Sequence, residues 1–340
     1  MQNMSSLYVL CLTFITLCFA ACKDNENESI DVTFKVPAGW PAPVYNNPAN
    51  PITEAGFKLG RKLFYDPQLS RDNTVSCGSC HQQFAAFANL DHKVSHGIDN
   101  LLGTRNAPPM FNLAWHPTFM WDGGVNHIEV MPLAPIGNPV EMDEQIDNVI
   151  AKLRADNEYR FMFKEAFGTD SINSQKMLLA FAQFMSLMVS ANSKYDKVMD
   201  GQAIFSSEEA SGYSFFKKHC NGCHTEPLMT NFTYRNNGLD NTFADLGRGL
   251  ITQQPNDMGL FKVPSLRNIA LSKPYMHDGR FQTLEACIEH YNSGIKSSAT
   301  VDSLVASGIA ISTQEKTALI SFLNTLTDST FITDKRFIEQ

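Results

Sequence analysis

The chain has 340 residues, 43% of them apolar, with 35 acidic against 27 basic side chains and a net charge of -8 at pH 7. That length suits two domains of ordinary size, each with a real core. The acidic balance and the absence of any Lys or Arg run remove the electrostatic footprint that nucleic-acid binding requires, so a DNA or RNA partner is excluded.

Residues 1–21 read as a secretory signal, because Leu7 to Ala21 is apolar but too short and too early for a membrane span. Ala20 and Ala21 before Cys22 resemble a bacterial lipobox, although no Lys or Arg precedes the run and Phe19 stands where Leu is usual. Cys22 is therefore expected to carry a lipid, and the polar run Lys23 to Glu28 to be a disordered tether. This places the mature protein on the periplasmic side of a bacterial envelope, and the Lys followed by acids hints at the outer membrane. Residues 22–50 continue as an arm punctuated by Pro37, Pro41, Pro43 and Pro48.

A helix is predicted over Glu54–Phe64, capped by Thr53. From Asn89 to Pro139 the chain is rich in Gly, Pro and Asn, a long irregular segment of the kind that carries function. Helices are expected over Met142–Ala155 and Glu158–Phe167, then one long apolar-periodic helix over Ser174–Val198. Gly201 and Gln202 mark the boundary between an N-terminal domain, 51–200, and a C-terminal domain, 201–340. Ser206 to Glu209 cap a further helix. Residues 225–282 are loop-rich, and Leu284–Tyr291 and Thr313–Leu326 read as closing helices.

Of the eight cysteines, Cys11 and Cys18 leave with the signal. Four others form Cys77-Gly78-Ser79-Cys80-His81 and Cys220-Asn221-Gly222-Cys223-His224. This spacing attaches c-type haem: two thiols one helical turn apart meet the two vinyl groups, and the adjacent imidazole falls beneath the iron. A zinc site does not explain a histidine after both pairs, and its pairs usually lie closer than the roughly 140 residues here. Two structural disulfides are the other alternative in an oxidising compartment. Cys287 reads as a buried apolar residue. The fold expected is mainly α, with two cytochrome c-like domains, each holding one covalent haem.

The segments Thr104 to Pro108, Phe119 to Gly123, Asn138 to Met142, Val263 to Asn268 and Pro274 to Gly279 resemble, in order, those of the bacterial di-haem cytochrome c peroxidases and the related enzyme MauG. The resemblance spans roughly residues 52–330. It implies that the haem on His81 is peroxidatic and the one on His224 transfers electrons. It also makes Trp121 the tryptophan between the haems and Glu141 the carboxylate above the peroxidatic iron. Without it, Glu141 reads as a carboxylate at a helix start and Trp121 as a core aromatic. Asn106, with the carbonyls of Ser272 and Pro274, matches the family's site for one Ca2+.

The chain also departs from the family. Where many relatives hold a distal histidine over the first haem, the count gives Ile98, with His92 and His96 nearby. At the sixth position of the second haem the spacing gives Tyr291, as in MauG, where the classical peroxidases have Met; Met276 and Met258 are the alternatives. Met131 stands where relatives commonly have Gln. His277 is expected to fix a turn.

With no flavin or nicotinamide motif, electrons must come from a small c-type cytochrome or a copper protein. The expected reaction is reduction of hydrogen peroxide to water. The competing readings are a MauG-like oxidase acting on aromatic residues of a partner protein and a non-enzymatic di-haem carrier. Family members often form homodimers.

Overall fold

The computed structural model describes residues 29–90 and 92–340; the signal, Cys22 and the tether lie outside the described residues. In chain order the helices are α1 (Glu54–Tyr65), α2 (Cys77–Cys80), α3 (Leu133–Gly137), α4 (Ile146–Ala155), α5 (Asn157–Phe167), α6 (Ser174–Ser186), α7 (Lys194–Met199), α8 (Ser207–His219), α9 (Arg248–Thr252), α10 (Leu284–Glu289), α11 (Thr313–Asn324) and α12 (Ser329–Ile332). Strands β1 (Tyr234–Arg235) and β2 (Phe261–Lys262) form a short antiparallel ladder. Among the described residues no helix is long and apolar enough to cross a membrane.

Each half is organised by two helices that cross at a glycine. Thr53 starts α1 by accepting the Gly56 N–H on its hydroxyl, and the stripe Phe57, Leu59, Leu63 and Phe64 is buried. Gly60 lets α1 press onto α6, since a Cβ there would lie 2.1 Å from the Ala180 carbonyl oxygen and 2.8 Å from Phe184 Cβ. In the second half Ser206 and Glu209 close a capping box on α8, as expected. Gly212 then repeats the contact against α11: its Cβ would lie 1.9 Å from the Ala318 oxygen and 2.9 Å from Phe322 Cβ. Helix α8 runs directly into the second haem motif, so its crossing sets where that motif begins.

Several expected helices are shorter than the pattern suggested. The one over Ser174–Val198 is two, because buried side chains take the backbone donors between them. Asn112 Oδ1 accepts the Ser190 N–H and Asp328 Oδ2 the Asn192 N–H, each at 2.9 Å, and Ser193 with Asp196 then caps α7 afresh. The helix expected from Met142 begins only at Ile146. The N–H groups of Met142 and Glu144 donate to the carbonyls of Pro135 and Ile136, folding a turn onto α3 with Asp143 at φ +47°. Past Glu289, α10 widens into one π-turn over His290–Gly294, and α11 stops at Asn324.

The chain's last residues return to the first half. Phe337 packs on Phe57, Phe87 and Phe184, and Phe331 on Phe87 and Phe111. The Tyr65 hydroxyl donates to the Phe337 carbonyl and Gln83 Nε2 to that of Asp334, 2.8 Å away.

Candidate active site

Two largely apolar cavities, of about 620 and 390 Å3, each contain one Cys-x-x-Cys-His motif. In the larger, Cys77 and Cys80 lie on the single turn α2 and both face the cavity with His81. Burial pushes the Cys77 thiol up to about 12, and the Cys80 thiol is raised for the same reason. His81 Nδ1 lies 2.8 Å from the Phe87 carbonyl oxygen. That bond places the proton on Nδ1 and leaves Nε2 as a neutral donor, the tautomer a haem iron requires. Burial lowers the His81 pKa, which also favours the neutral ring.

The second motif follows the end of α8 directly, and Cys220, Cys223 and His224 line the smaller cavity. His224 Nδ1 lies 3.0 Å from the Pro264 carbonyl oxygen and 3.3 Å from that of Met229, and burial lowers its pKa to about 4. Among the described residues the four motif cysteines are unpaired. No group of three or more His, Cys, Asp or Glu among the described residues could hold a metal ion, which leaves the zinc alternative without a site. Both donor sets fit a covalent haem: paired thiols, an oriented imidazole and an apolar chamber. Cys287 also lines the smaller cavity.

The cavities share a wall made of Asn106, Pro109, Trp121 and the run Lys262 to Ser265. Trp121 is 9% exposed; its indole N–H donates to the Asn106 carbonyl at 2.8 Å, and its own carbonyl accepts the Lys262 N–H at 2.8 Å. The tryptophan is thus fixed between the chambers at both its ring and its backbone.

Glu141 lines the larger cavity. Its N–H donates to Asn138 and its carbonyl accepts the Ile98 N–H, both at 2.9 Å. Gly97 permits this, because a Cβ there would lie 2.4 Å from Glu141 Cα. The carboxylate makes no hydrogen bond or ion pair among the described residues. Ile98 is buried behind this turn and is not part of the lining, whereas His96 is, with the His92 ring stacked on it at 4.9 Å. Met131 lines the same cavity.

On the smaller cavity, Tyr291 and Met276 both face the chamber, and Asn237 Nδ2 reaches the Met276 sulfur at 3.3 Å and the Tyr291 hydroxyl at 3.4 Å. Burial pushes the Tyr291 phenol up to about 12. Met258 is not in the lining; it packs under Gly249. Asn237 had no signal in the sequence, since a polar residue in a loop-rich stretch looks like any other.

Asn106, Ser272 and Pro274 all line the smaller cavity. Asn106 Nδ2 donates to the Lys93 carbonyl at 3.2 Å, which leaves its Oδ1 for another partner, and neither the Ser272 nor the Pro274 carbonyl accepts a hydrogen bond among the described residues. Uncommitted neutral oxygens of this kind suit a hard cation. His277 fixes its turn through its backbone, accepting the Asn106 N–H at 2.7 Å, while its ring stacks on Phe261 at 3.6 Å. Arg105 clamps Asp122 and Asp245, and Arg267, fully buried, pairs with Asp196 at 2.7 Å.

Comparison with known proteins agrees with these chambers. Residues 54–204 match the family model described as di-haem cytochrome c peroxidase. The chain is 32% identical to the methylamine utilization protein MauG of Methylorubrum extorquens over 90% of this chain and 87% of that one. It is 34% identical to the cytochrome c551 peroxidase of Nitrosomonas europaea over 68% of this chain and 71% of that one. A crystal structure of a MauG-like protein associated with microbial copper homeostasis superposes with a TM-score of 0.81 at 33% identity, covering 90% of this chain and 98% of that chain. With two haem-attachment motifs in two cytochrome c-like chambers, the chain belongs to the di-haem cytochrome c peroxidase and MauG family of oxidoreductases.

Proposed function

We propose that the protein reduces hydrogen peroxide to two waters, taking two electrons from a small c-type cytochrome or cupredoxin and two protons from solvent. When bound, the haem on His81 would supply an open iron for peroxide and the haem on His224 would supply electrons across the wall that contains Trp121. The observation that carries the reading is Glu141, an uncommitted carboxylate facing the same chamber as Cys77, Cys80 and His81. It takes a proton from one peroxide oxygen and returns it to the other, so that the departing oxygen leaves as water. The apolar lining and Met131 exclude bulk water from this transfer. Asn106 holds the Trp121 indole in place.

In this reading residues 51–200 form the peroxidatic domain and 201–340 the electron-transfer domain, with one Ca2+ held by Asn106, Ser272 and Pro274 at the smaller cavity. The mature protein works on the periplasmic side, anchored by a lipid on Cys22, as a monomer or homodimer. Replacing Glu141 with Gln tests the central assignment. Peroxide turnover with a reduced cytochrome should fall by a factor of about 100 or more, the usual contribution of a positioned acid-base group. Both haems should be retained, and unchanged turnover refutes the role.

A second reading, oxidation of an aromatic residue on a partner protein, is favoured by Tyr291 facing the smaller cavity beside Asn237. A phenolate on the second iron would stabilise higher oxidation states. Rapid steady turnover of peroxide with cytochrome alone distinguishes the first reading from this one. Two low-spin ferric haems that refuse cyanide would instead point to an electron carrier.

A further inference from the structure

Two polar groups on the wall of the larger cavity, the half-buried Lys262 ammonium and the enclosed His116 Nδ1, have fewer partners than their surroundings call for. Lys262 Nζ donates to the Thr118 carbonyl at 2.8 Å, one bond where an ammonium can make three. The carboxylate that acts on it, Asp122, is already committed to Arg105 at 2.6 Å. Among the described residues His116 Nδ1 is buried with no hydrogen-bond partner. Its ring lies 4.7 Å from that of Phe232 and 6.0 Å from that of Phe119, and the Lys262 ammonium stands 6.0 Å from the same Phe119 ring. A cation and a ring nitrogen thus flank one phenylalanine, and both residues line the cavity that contains His81.

A half-buried cation and a buried ring nitrogen facing one chamber suit an anion. A c-type haem carries its thioether bonds on one edge and its two propionate carboxylates on the opposite edge. None of the four motif cysteines belongs to the shared wall that includes Lys262, as a propionate edge facing that wall requires. We propose that Lys262 and His116 form the cradle for a propionate of the N-terminal haem, Lys262 through an ion pair and His116 through a donated Nδ1–H. They are positioning residues. Because the Lys262 N–H is bonded to the Trp121 carbonyl, the group that pins the propionate and the indole between the chambers share one backbone pairing.

The test uses the holoprotein with Lys262→Met, Lys262→Arg and His116→Phe, read by haem content, by redox titration of each haem and by the propionate-bending band in resonance Raman spectra. Both haems should remain attached, since the thioether bonds are untouched. Loss of the cation should move the N-terminal haem to a more negative potential, because reduction adds an electron beside an unneutralised carboxylate, and should shift its propionate band. Lys262→Arg should restore both, and His116→Phe should shift the band in the same direction by less. If Lys262→Met does not fold, the Arg and Phe variants carry the test. Unchanged potentials and bands in the folded variants overturn the cradle. None of these readouts requires turnover, so the result stands whether or not peroxide is the substrate.

Discussion

Gly212→Ala probes the contact that seats the second haem motif. The added methyl would sit 1.9 Å from the Ala318 carbonyl oxygen, where real Cβ contacts stay beyond 3.0 Å. The obstruction is backbone, so α8 and α11 must part by at least about 1 Å along that direction, and no side chain can rotate away to relieve it. Overpacking of this kind costs about 1–3 kcal/mol, and alanine's better helix propensity returns about 1 kcal/mol. The net effect is a loss of up to about 2 kcal/mol, a fall in Tm of up to about 8 °C. Thermal unfolding followed by far-UV circular dichroism measures it, with Gly137→Ala as control, since nothing lies within 4 Å of a Cβ there. Because α8 leads straight into Cys220, the Soret band of the C-terminal haem should broaden in the Gly212 variant. Stability equal to that of the control would refute the claim that glycine is required at the crossing.

Asp196 is held below the ordinary aspartate range because its hydrogen bonds and charge contact with Arg267 outweigh the opposing effect of burial. A depressed folded-state pKa stabilises above the ordinary value of about 3.9 and is lost as pH falls through the folded one, so Asp196→Asn should cost about 3–5 kcal/mol at pH 7 and progressively less on acidification below pH 4. A pH-independent gap in denaturant midpoints between the two proteins would contradict this. Tyr291→Phe should change the ferric spectrum of the C-terminal haem and raise its potential, while Met276→Leu leaves both intact. The reverse pattern would assign the sixth position to Met276.

What the sequence made legible was whatever is written in local pattern. The motifs around His81 and His224, the caps at Thr53 and Ser206, and the helical periodicity of α1, α5 and α6 depend on neighbours three or four residues away. The break after Ser186 was not legible, because its cause is Asn112 and Asp328, far off in the chain. The family resemblance pointed to Glu141 and Trp121, which line the chamber walls, and the spacing from Pro274 pointed to Tyr291, with Met276 as its alternative; both line one chamber. Neither could show that Asn237 touches both of the latter, or that His96 rather than Ile98 faces the larger chamber. Lys262 and His116 were invisible for the same reason: their meaning lies in lacking partners, which only the packing reveals.

The return of Phe331 and Phe337 to the aromatic cluster of Phe57, Phe87 and Phe184 has a topological consequence. The first chamber's core is finished by a segment that follows the second half's helices in the chain. A fragment ending near residue 200 would leave those rings facing water, and synthesis of the N-terminal half alone would yield a sticky, incomplete body. The first half therefore closes only once residues 331–337 have joined it.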